Sequence, residues 1–263
     1  AENQSSLLSA AKFDQNYNSQ YSYIAKVGYP MGMMYGFIYE GTYKYEDFDK
    51  VGDTYTLKRN VPYFSSESNT QPGMPKYADL NGDGIIDDND RTMIGNGMPK
   101  HTGGFTNNFE YKGFDLSIFF QWSYGNDVLN ANRLFFENSN KTRDLNQYAS
   151  YADRWTPENP ESNIPRATDS GSNKVFSTRI IEDGSFLRLK TVSLGYTLPK
   201  QLTKKWKIDN ARVFVAGQNL WTCTGYSGYD PEVSIREGAL TPGLDFSAYP
   251  RAYSISFGIN LGF

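Results

Sequence analysis

The chain has 263 residues, of which 38% are hydrophobic and 16% are aromatic, and its formal net charge is -3 at pH 7. No segment approaches the roughly 18 consecutive apolar residues of a transmembrane helix, and no basic stripe supports binding to nucleic-acid phosphates. The single cysteine, Cys223, excludes an intrachain disulfide and is expected to be a small buried residue; the single histidine, His101, gives no support for a zinc site or a Ser-His-Asp triad.

The amino-terminal part of the chain carries one strand pattern and one long polar region. Residues 1–30 show no clear pattern, and no signal peptide opens the chain, which suggests a mature fragment or one part of a larger protein. Residues 32–43, rich in Met, Tyr, Phe and Ile, predict a strand. Residues 44–102 predict a long loop.

An acidic segment at residues 79–90, Asp-Leu-Asn-Gly-Asp-Gly-Ile-Ile-Asp-Asp-Asn-Asp, lies within that loop. Its oxygen ligands stand at the spacing that calcium-binding loops use, with glycine at the sixth position. The predicted ligands of one structural calcium ion are Asp79, Asn81, Asp83, the Ile85 carbonyl, Asp87 and Asp90. The segment departs from an EF-hand because an aspartate ends it and no amphipathic helix precedes it. The alternative is an acidic loop of Asx turns without an ion.

Residues 103–124 predict a β-hairpin. Apolar and polar residues alternate on both sides of Lys112-Gly113, which fits a two-residue turn. Residues 125–185 then predict a long polar loop, with short helices near residues 145–155. The apolar face of the second strand is expected to carry Phe114, Leu116, Ile118, Phe120, Trp122 and Tyr124.

Two more strands are predicted at residues 186–198 and 211–220. In the first, the apolar residues before position 190 are out of phase with those after it, and a β-bulge near Lys190 or Thr191 would bring them onto one face. A short connection with four lysines joins these strands, and a long Gly- and Pro-rich loop follows at residues 221–249.

The last eleven residues alternate between large apolar and small or uncharged residues. A membrane-spanning β-strand needs this pattern, because about 9–11 residues cross the membrane with one face towards lipid. Its backbone groups must pair in a closed ring, since lipid offers no hydrogen bonds. We expect Ile255, Phe257, Ile259 and Leu261 to face lipid, and Ser256, Gly258 and Asn260 to face the lumen.

The connections alternate between short and long, as in bacterial outer-membrane barrels, whose short turns are periplasmic and whose long loops are extracellular. Residues 112–113 and 199–210 are therefore predicted to be periplasmic, together with the carboxyl terminus. The three long loops, at residues 44–102, 125–185 and 221–249, are predicted to be extracellular. About six strands do not close a barrel with a useful lumen, and their open edges require further strands outside this chain.

Several blocks of the sequence resemble one known family. In chain order they are Gly28-Tyr-Pro-Met-Gly-Met-Met-Tyr-Gly36, Tyr77-Ala-Asp-Leu-Asn-Gly-Asp-Gly-Ile-Ile-Asp-Asp-Asn-Asp90, Ile94-Gly-Asn96, Pro99-Lys100, Tyr111-Lys-Gly-Phe-Asp-Leu116, Arg154-Trp-Thr-Pro-Glu-Asn-Pro160, Asp183-Gly-Ser-Phe-Leu-Arg-Leu-Lys190, Leu194-Gly-Tyr-Thr-Leu-Pro199, Gly217-Gln-Asn-Leu220 and Gly228-Tyr-Asp-Pro-Glu232. Together they resemble the carboxyl-terminal part of SusC/RagA-like TonB-dependent transporters of the Bacteroidetes outer membrane.

The resemblance implies an all-β fold, a transmembrane antiparallel barrel of about 22 strands with a plugged lumen, of which residues 1–263 would be the last six or so strands. The plug and the TonB box would lie outside this chain. Such transporters import oligosaccharides or peptides with a SusD-like surface lipoprotein as lid, and they are energised through TonB in the inner membrane. The resemblance also implies that Phe263 is the terminal aromatic residue that the insertion machinery recognises. It assigns no substrate-binding residue.

Two other classes of function are weighed against the transporter. A glycoside hydrolase needs two carboxylates held across a sugar, and Asp230 and Glu232 are available, but loop acids of this kind are usually solvated. A calcium-stabilised soluble β-sandwich that acts in binding or adhesion is the stronger alternative. Solubility of the chain without detergent would favour it.

Overall fold

A computed structural model describes residues 7–12, 21–138, 146–168, 175–235 and 238–263. The chain divides into two compact units. The first, here called the loop unit, consists of Ala1–Met98, Asp127–Glu182 and Val233–Ala248; the second, the sheet unit, consists of Pro99–Asn126, Asp183–Glu232 and Tyr249–Phe263. Among the described residues, no helix is long and apolar enough to cross a membrane.

The described elements are mainly strands, as the sequence predicts. The strands are β1 (Leu7–Lys12), β2 (Tyr21–Lys26), β3 (Met33–Gly36), β4 (Tyr39–Thr42), β5 (Phe48–Val51), β6 (Thr54–Leu57), β7 (Tyr63–Phe64), β8 (Pro75–Tyr77), β9 (Ile85–Ile86), β10 (Thr92–Asn96), β11 (His101–Tyr111), β12 (Phe114–Tyr124), β13 (Asp127–Asn130), β14 (Ile181–Asp183), β15 (Phe186–Thr197), β16 (Asn210–Thr224), β17 (Leu244–Asp245) and β18 (Ser254–Gly262). Two short α-helices, α1 (Asn132–Phe136) and α2 (Lys200–Thr203), accompany 3-10 turns at Tyr45–Asp47, Glu67–Asn69, Asp88–Asp90, Ala149–Asp153, Thr178–Ile180 and Lys204–Trp206.

The sheet unit contains one five-stranded antiparallel sheet in the order β11-β12-β15-β16-β18. These are five of the six membrane strands that the sequence predicts, in the predicted order. β16 is longer than expected, because it continues to Thr224 instead of ending near residue 220.

The predicted bulge is confirmed at Lys190. Phe119 stands opposite Thr191, whereas the next residue, Phe120, stands opposite Leu189, so Lys190 is the extra residue in β15. The bulge reverses the alternation. Leu187 and Leu189 consequently lie on the same face of the sheet as the apolar residues that follow them.

The prediction of a sixth membrane strand at residues 32–43 is wrong. This segment forms two short strands of the loop unit, of which β3 pairs with β2 and β10 and β4 pairs with β8. Met34, Phe37 and Tyr43 are all buried. Because these three residues occupy both even and odd positions, the segment has apolar residues on both faces and suits a packed interior better than a two-faced membrane strand.

The loop unit brings together most of the three predicted long loops around hydrophobic clusters. Leu129 and Leu244, from two different loops, stand opposite each other in the parallel pair of β13 and β17. The largest cluster consists of Tyr23, Met34, Leu129, Ala131, Leu134, Phe135, Phe176, Ile180 and Leu244. The loops are therefore folded against one another rather than separate, and the predicted helix near residues 145–155 is the 3-10 turn Ala149–Asp153.

Candidate functional site

The five-stranded sheet has one apolar and one polar face. Residues that stand opposite each other in antiparallel strands share a face, so the register assigns each side chain. Phe257 stands opposite Val215, Val215 opposite Leu194, Leu194 opposite Leu116, and Leu116 opposite Phe109. The two apolar sets predicted at residues 114–124 and 253–263 therefore lie on one continuous face.

This apolar face is open in the chain as described. Phe257 is 82% exposed and Phe109 is 58% exposed. No Asp, Glu, Lys or Arg occupies a paired position on it. A continuous exposed apolar surface of this kind requires cover by lipid or by protein. Its exposed members include Phe105, Phe109, Phe114, Leu194, Val213, Ile255, Phe257, Ile259 and Leu261.

The opposite face is polar and holds the charged side chains at the paired positions of the sheet: Glu110, Asp115, Arg188 and Arg212. Arg212 on β16 reaches over β15 to Asp115 on β12 and donates two hydrogen bonds to its carboxylate, that from Nε measuring 2.8 Å. Gly195 lies between them, and a Cβ atom there would stand 2.3 Å from the guanidinium group. Glycine at this position therefore permits a bridge across three strands.

Both short connections lie at the same end of the sheet. Lys112 and Gly113 have φ angles of 47° and 88°, as a type I′ hairpin turn requires, so the predicted two-residue turn is confirmed. The connection at residues 199–210 contains α2 and the 3-10 turn Lys204–Trp206. At its end, the Asp209 N–H donates to the carbonyl of Gly262, the last residue of β18.

At the other end of the sheet, a buried charge cluster holds the segment that follows β16. Arg188 donates to Asp230 over 2.5 Å, and these two side chains are only 2% and 6% exposed. Glu232 stands within salt-bridge distance of Arg188, Lys190 and Arg251. Asp230 also accepts the N–H of Glu232 over 2.9 Å.

Electrostatics favours the ionised form of Asp230. Burial raises the pKa of its carboxyl, but the hydrogen bond from Arg188 and the N–H groups of Glu232 and Arg251 hold that pKa below its ordinary value. The two acids considered for a glycosidase are thus each engaged by basic side chains. Their arrangement anchors a loop, and the sequence did not reveal it because Arg188 and Asp230 are 42 positions apart.

The acidic segment forms two groups of hydrogen bonds. In the first, the Asp79 carboxylate accepts the N–H groups of Gly82 and Gly84 over 2.7 and 2.8 Å, and these bonds, that of Gly84 foremost, hold its pKa below the ordinary value. Asn81 and Asp83 each accept the N–H of the residue two positions later, at Asp83 and Ile85.

The second group surrounds the 3-10 turn Asp88–Asp90. Asp87 accepts the Asn89 N–H over 2.7 Å, and the buried Asp90 accepts the N–H groups of Leu80 and Asp87 over 2.8 Å each. Within the described ranges, no three His, Cys, Asp or Glu side chains are grouped closely enough to hold a metal ion. The loop of Asx turns is thus present, while calcium stays a prediction from the spacing of the ligands.

The two single residues noted in the sequence take no part in a reactive site in the described structure. Cys223 is exposed instead of buried, because β16 extends far enough to place it opposite Leu187 on the apolar face. His101 stacks on Tyr124 with 5.0 Å between ring centroids, and its Nδ1 accepts the indole N–H of Trp122 over 3.1 Å. Aromatic residues with a polar tip are typical of membrane interfaces.

Known proteins resemble this chain both in sequence and in fold. No family model matches it. The TonB-dependent receptor P3 of Formosa agariphila is 34% identical over 247 residues, which cover 91% of this chain and 23% of that receptor. The receptor SusC of Bacteroides thetaiotaomicron is 28% identical over 75% of the chain and 18% of its own length. The solved structure of the RagAB peptide transporter matches with a TM-score of 0.69 and 26% identity over 92% of the chain and 24% of the matched chain.

The chain belongs to the SusC/RagA-like family of TonB-dependent transporters. It spans between 18% and 24% of the length of these relatives. The relatives are named receptors and transporters and not enzymes, which agrees with the expectation of a protein without catalytic activity. Family membership makes the five-stranded sheet part of an outer-membrane barrel, and the strands that the structure describes do not close it.

Proposed function

We propose that this chain supplies the carboxyl-terminal strands of an outer-membrane importer that takes up oligosaccharides or peptides. The observation that carries the proposal is the continuous apolar face of the five-stranded sheet, which bears no charged residue at its paired positions and lies opposite a polar face. Lipid would cover the first face, and the second would line the lumen. A soluble β-sandwich would bury its apolar face against a second sheet.

The proposed orientation follows from the lengths of the connections. The short turns at residues 112–113 and 199–210, together with Phe263, would face the periplasm, and the loop unit would be extracellular. There it would form part of the substrate cavity and contact a SusD-like lipoprotein that closes the transporter as a lid. TonB would act through a plug domain encoded outside these residues. Since RagAB is a peptide transporter, peptides and oligosaccharides are both candidate substrates.

The test uses the full-length transporter that contains this chain. In intact cells, a cysteine introduced at the loop-unit position Lys50 should react with a membrane-impermeant maleimide, whereas one at Lys112 should react only after the outer membrane is opened. The exposed Cys223 is replaced by serine in both variants. Deleting the transporter gene should abolish uptake of its substrate, tested with labelled oligosaccharides and peptides in parallel. Labelling of the cysteine introduced at position 112 in intact cells would contradict the proposed orientation.

We further propose that one calcium ion braces the acidic segment on the extracellular side. Asp79, Asn81, Asp83, Asp87, Asp90 and the Ile85 carbonyl supply oxygen ligands of the kind that calcium prefers, and the ion would offset the repulsion among the carboxylates. Asp83→Ala should abolish stoichiometric calcium binding by the full transporter and weaken its association with the lid lipoprotein, while the barrel remains assembled. Calorimetric titration with calcium measures the first effect and co-purification measures the second.

A matched control for this variant is Asp53→Ala, which removes a carboxylate from another exposed turn of the loop unit. It should leave calcium binding unchanged. Absence of calcium binding by the unmodified transporter at millimolar calcium would refute the ion and leave a loop held by Asx turns alone.

Phe263 is proposed as the assembly signal. It is 86% exposed and directly follows β18, an edge strand of the five-stranded sheet, so its aromatic ring is accessible to a partner that pairs with that edge. Deleting Phe263 should lower the amount of transporter inserted in the outer membrane severalfold. Heat-modifiable mobility of the membrane fraction on gels measures insertion. Full insertion of the deletion variant would exclude this role. Phe263→Tyr is the conservative control and should insert normally, because it keeps an aromatic ring at this position.

A further inference from the structure

The connection between β15 and β16 combines basic charge with exposed apolar surface. Lys200, Lys204, Lys205 and Lys207 are all exposed, and Asp209 is its only acidic residue. In the described structure none of these four lysines forms an ion pair. Leu202 is 51% exposed and Trp206 is 66% exposed. Leu202 lies in α2, and Trp206 lies in the 3-10 turn that directly follows it.

The fold fixes this connection against the end of the sheet. Thr203 is buried, and its backbone carbonyl accepts the Ile208 N–H over 3.3 Å. The Leu198 N–H donates to the Ala211 carbonyl over 2.9 Å, which closes the connection between the two strands. Backbone hydrogen bonds therefore hold in place the segment that carries the lysines and the two apolar side chains.

The apolar face of the sheet extends to this connection. Tyr196 and Val213, near the two strand ends that it joins, stand opposite each other on that face. Tyr196 also packs on Phe114 beside the neighbouring turn, with 4.5 Å between ring centroids. In that turn the Lys112 ammonium lies 5.2 Å from the centre of the Tyr111 ring. Both adjacent connections thus set lysine beside an aromatic residue at the boundary of the apolar face.

We infer that these two connections form a binding surface for the phosphate head groups of anionic phospholipids, with phosphatidylglycerol as the model ligand. The inference rests on the proposed function, in which this end of the sheet meets the periplasmic leaflet. Tryptophan and tyrosine prefer the interface between hydrocarbon and head groups, where adjacent lysines attract anionic lipid. The continuity with the apolar face and the surplus of positive charge favour lipid over a soluble protein partner.

The experiment uses the full-length transporter reconstituted into nanodiscs that contain equal amounts of phosphatidylglycerol and phosphatidylcholine. Native mass spectrometry then counts the lipids that remain bound. The unmodified transporter should retain phosphatidylglycerol preferentially. The combined substitution of Lys200, Lys204, Lys205 and Lys207 by glutamine should reduce that preference about tenfold or more. Trp206→Ser should lower the number of bound lipids of both kinds.

A matched control is the pair Lys26→Gln and Lys50→Gln. Their ammonium groups lie 5.6 and 5.4 Å from the ring centres of Tyr29 and Tyr55. They therefore also stand beside aromatic rings, but in the loop unit. The control should keep the lipid preference. An inserted barrel whose preference for phosphatidylglycerol survives the fourfold substitution would overturn the inference. Failure of the unmodified transporter to insert as a barrel would instead refute the proposed function.

Discussion

Replacing Phe257 with arginine is expected to destabilise the membrane-inserted barrel by about 2–4 kcal/mol, the cost of a basic side chain on the lipid face near the bilayer midplane. Phe257 lies near the middle of β18, on the apolar face and opposite Val215. Urea-dependent unfolding of the full-length transporter in lipid vesicles, followed by tryptophan fluorescence, measures the change in the free energy of unfolding.

The control is Ser256→Arg on the adjacent residue. Ser256 lies on the polar face opposite Ala216, so arginine there would face the lumen and cost little. Gly258→Ala is a poor control, because a Cβ atom at Gly258 would lie 2.3 Å from the ring of Phe214. A larger loss of stability for Ser256→Arg than for Phe257→Arg would mean that the two faces are assigned the wrong way round.

Asp230→Ala is expected to cost about 3–5 kcal/mol, because it leaves the charge of Arg188 buried without its closest partner. The effect should be concentrated in the segment that follows β16. Hydrogen exchange of the full-length transporter should accelerate in residues 225–232 far more than in β12. Unchanged exchange in that segment would show that the ion pair does not anchor it.

The double variant Arg188→Met with Asp230→Leu separates the ion pair from the packing around it. Replacing both charges with apolar groups of similar size removes the unpaired charge, so most of the lost stability should return. If the double variant is as unstable as Asp230→Ala, the loss comes from packing or from the backbone bonds to Asp230 and not from the unpaired guanidinium.

The same pair predicts a dependence on pH. The pKa of Asp230 is lower in the folded protein than its ordinary value near 3.9. A lowered folded pKa contributes stability that is complete above the unfolded pKa and is lost as the pH falls through the folded pKa. The ion pair between Arg188 and Asp230 should therefore be insensitive to pH between 5 and 8 and should weaken only in strongly acidic solution. Hydrogen exchange of residues 225–232, corrected for the pH dependence of the intrinsic exchange rate, measures this.

The sequence was most informative for β12, β15 and β18. β12 and β18 alternate with period two throughout, and β15 does so on either side of its bulge; this period assigns the faces before any pairing is known. The turn at Lys112-Gly113 and the bulge at Lys190 could also be predicted. A two-residue turn has a characteristic composition, and a change of phase within one strand requires an extra residue.

Prediction failed at residues 32–43 because a short apolar segment is compatible with a membrane strand and with a packed core. Its neighbours decide between them: β3 pairs with β10, and the Phe37 N–H donates to the carbonyl of Phe176 over 2.9 Å. Cys223 is exposed for a related reason. Its environment depends on how far β16 continues beside β15, and that length is set by the partner strand.

The sequence by itself thus determined the strand class, the two faces of the sheet and the family, because these depend on local alternation and on contiguous motifs. Only the tertiary structure decided that the long loops share one core and that Arg188 meets Asp230. It also decided that Arg212 reaches Asp115 across Gly195. These contacts join residues 42 to more than 100 positions apart, for example Leu129 and Leu244. No local pattern encodes such pairings, because they form only when the closure of long loops is offset by burial and by charge pairing.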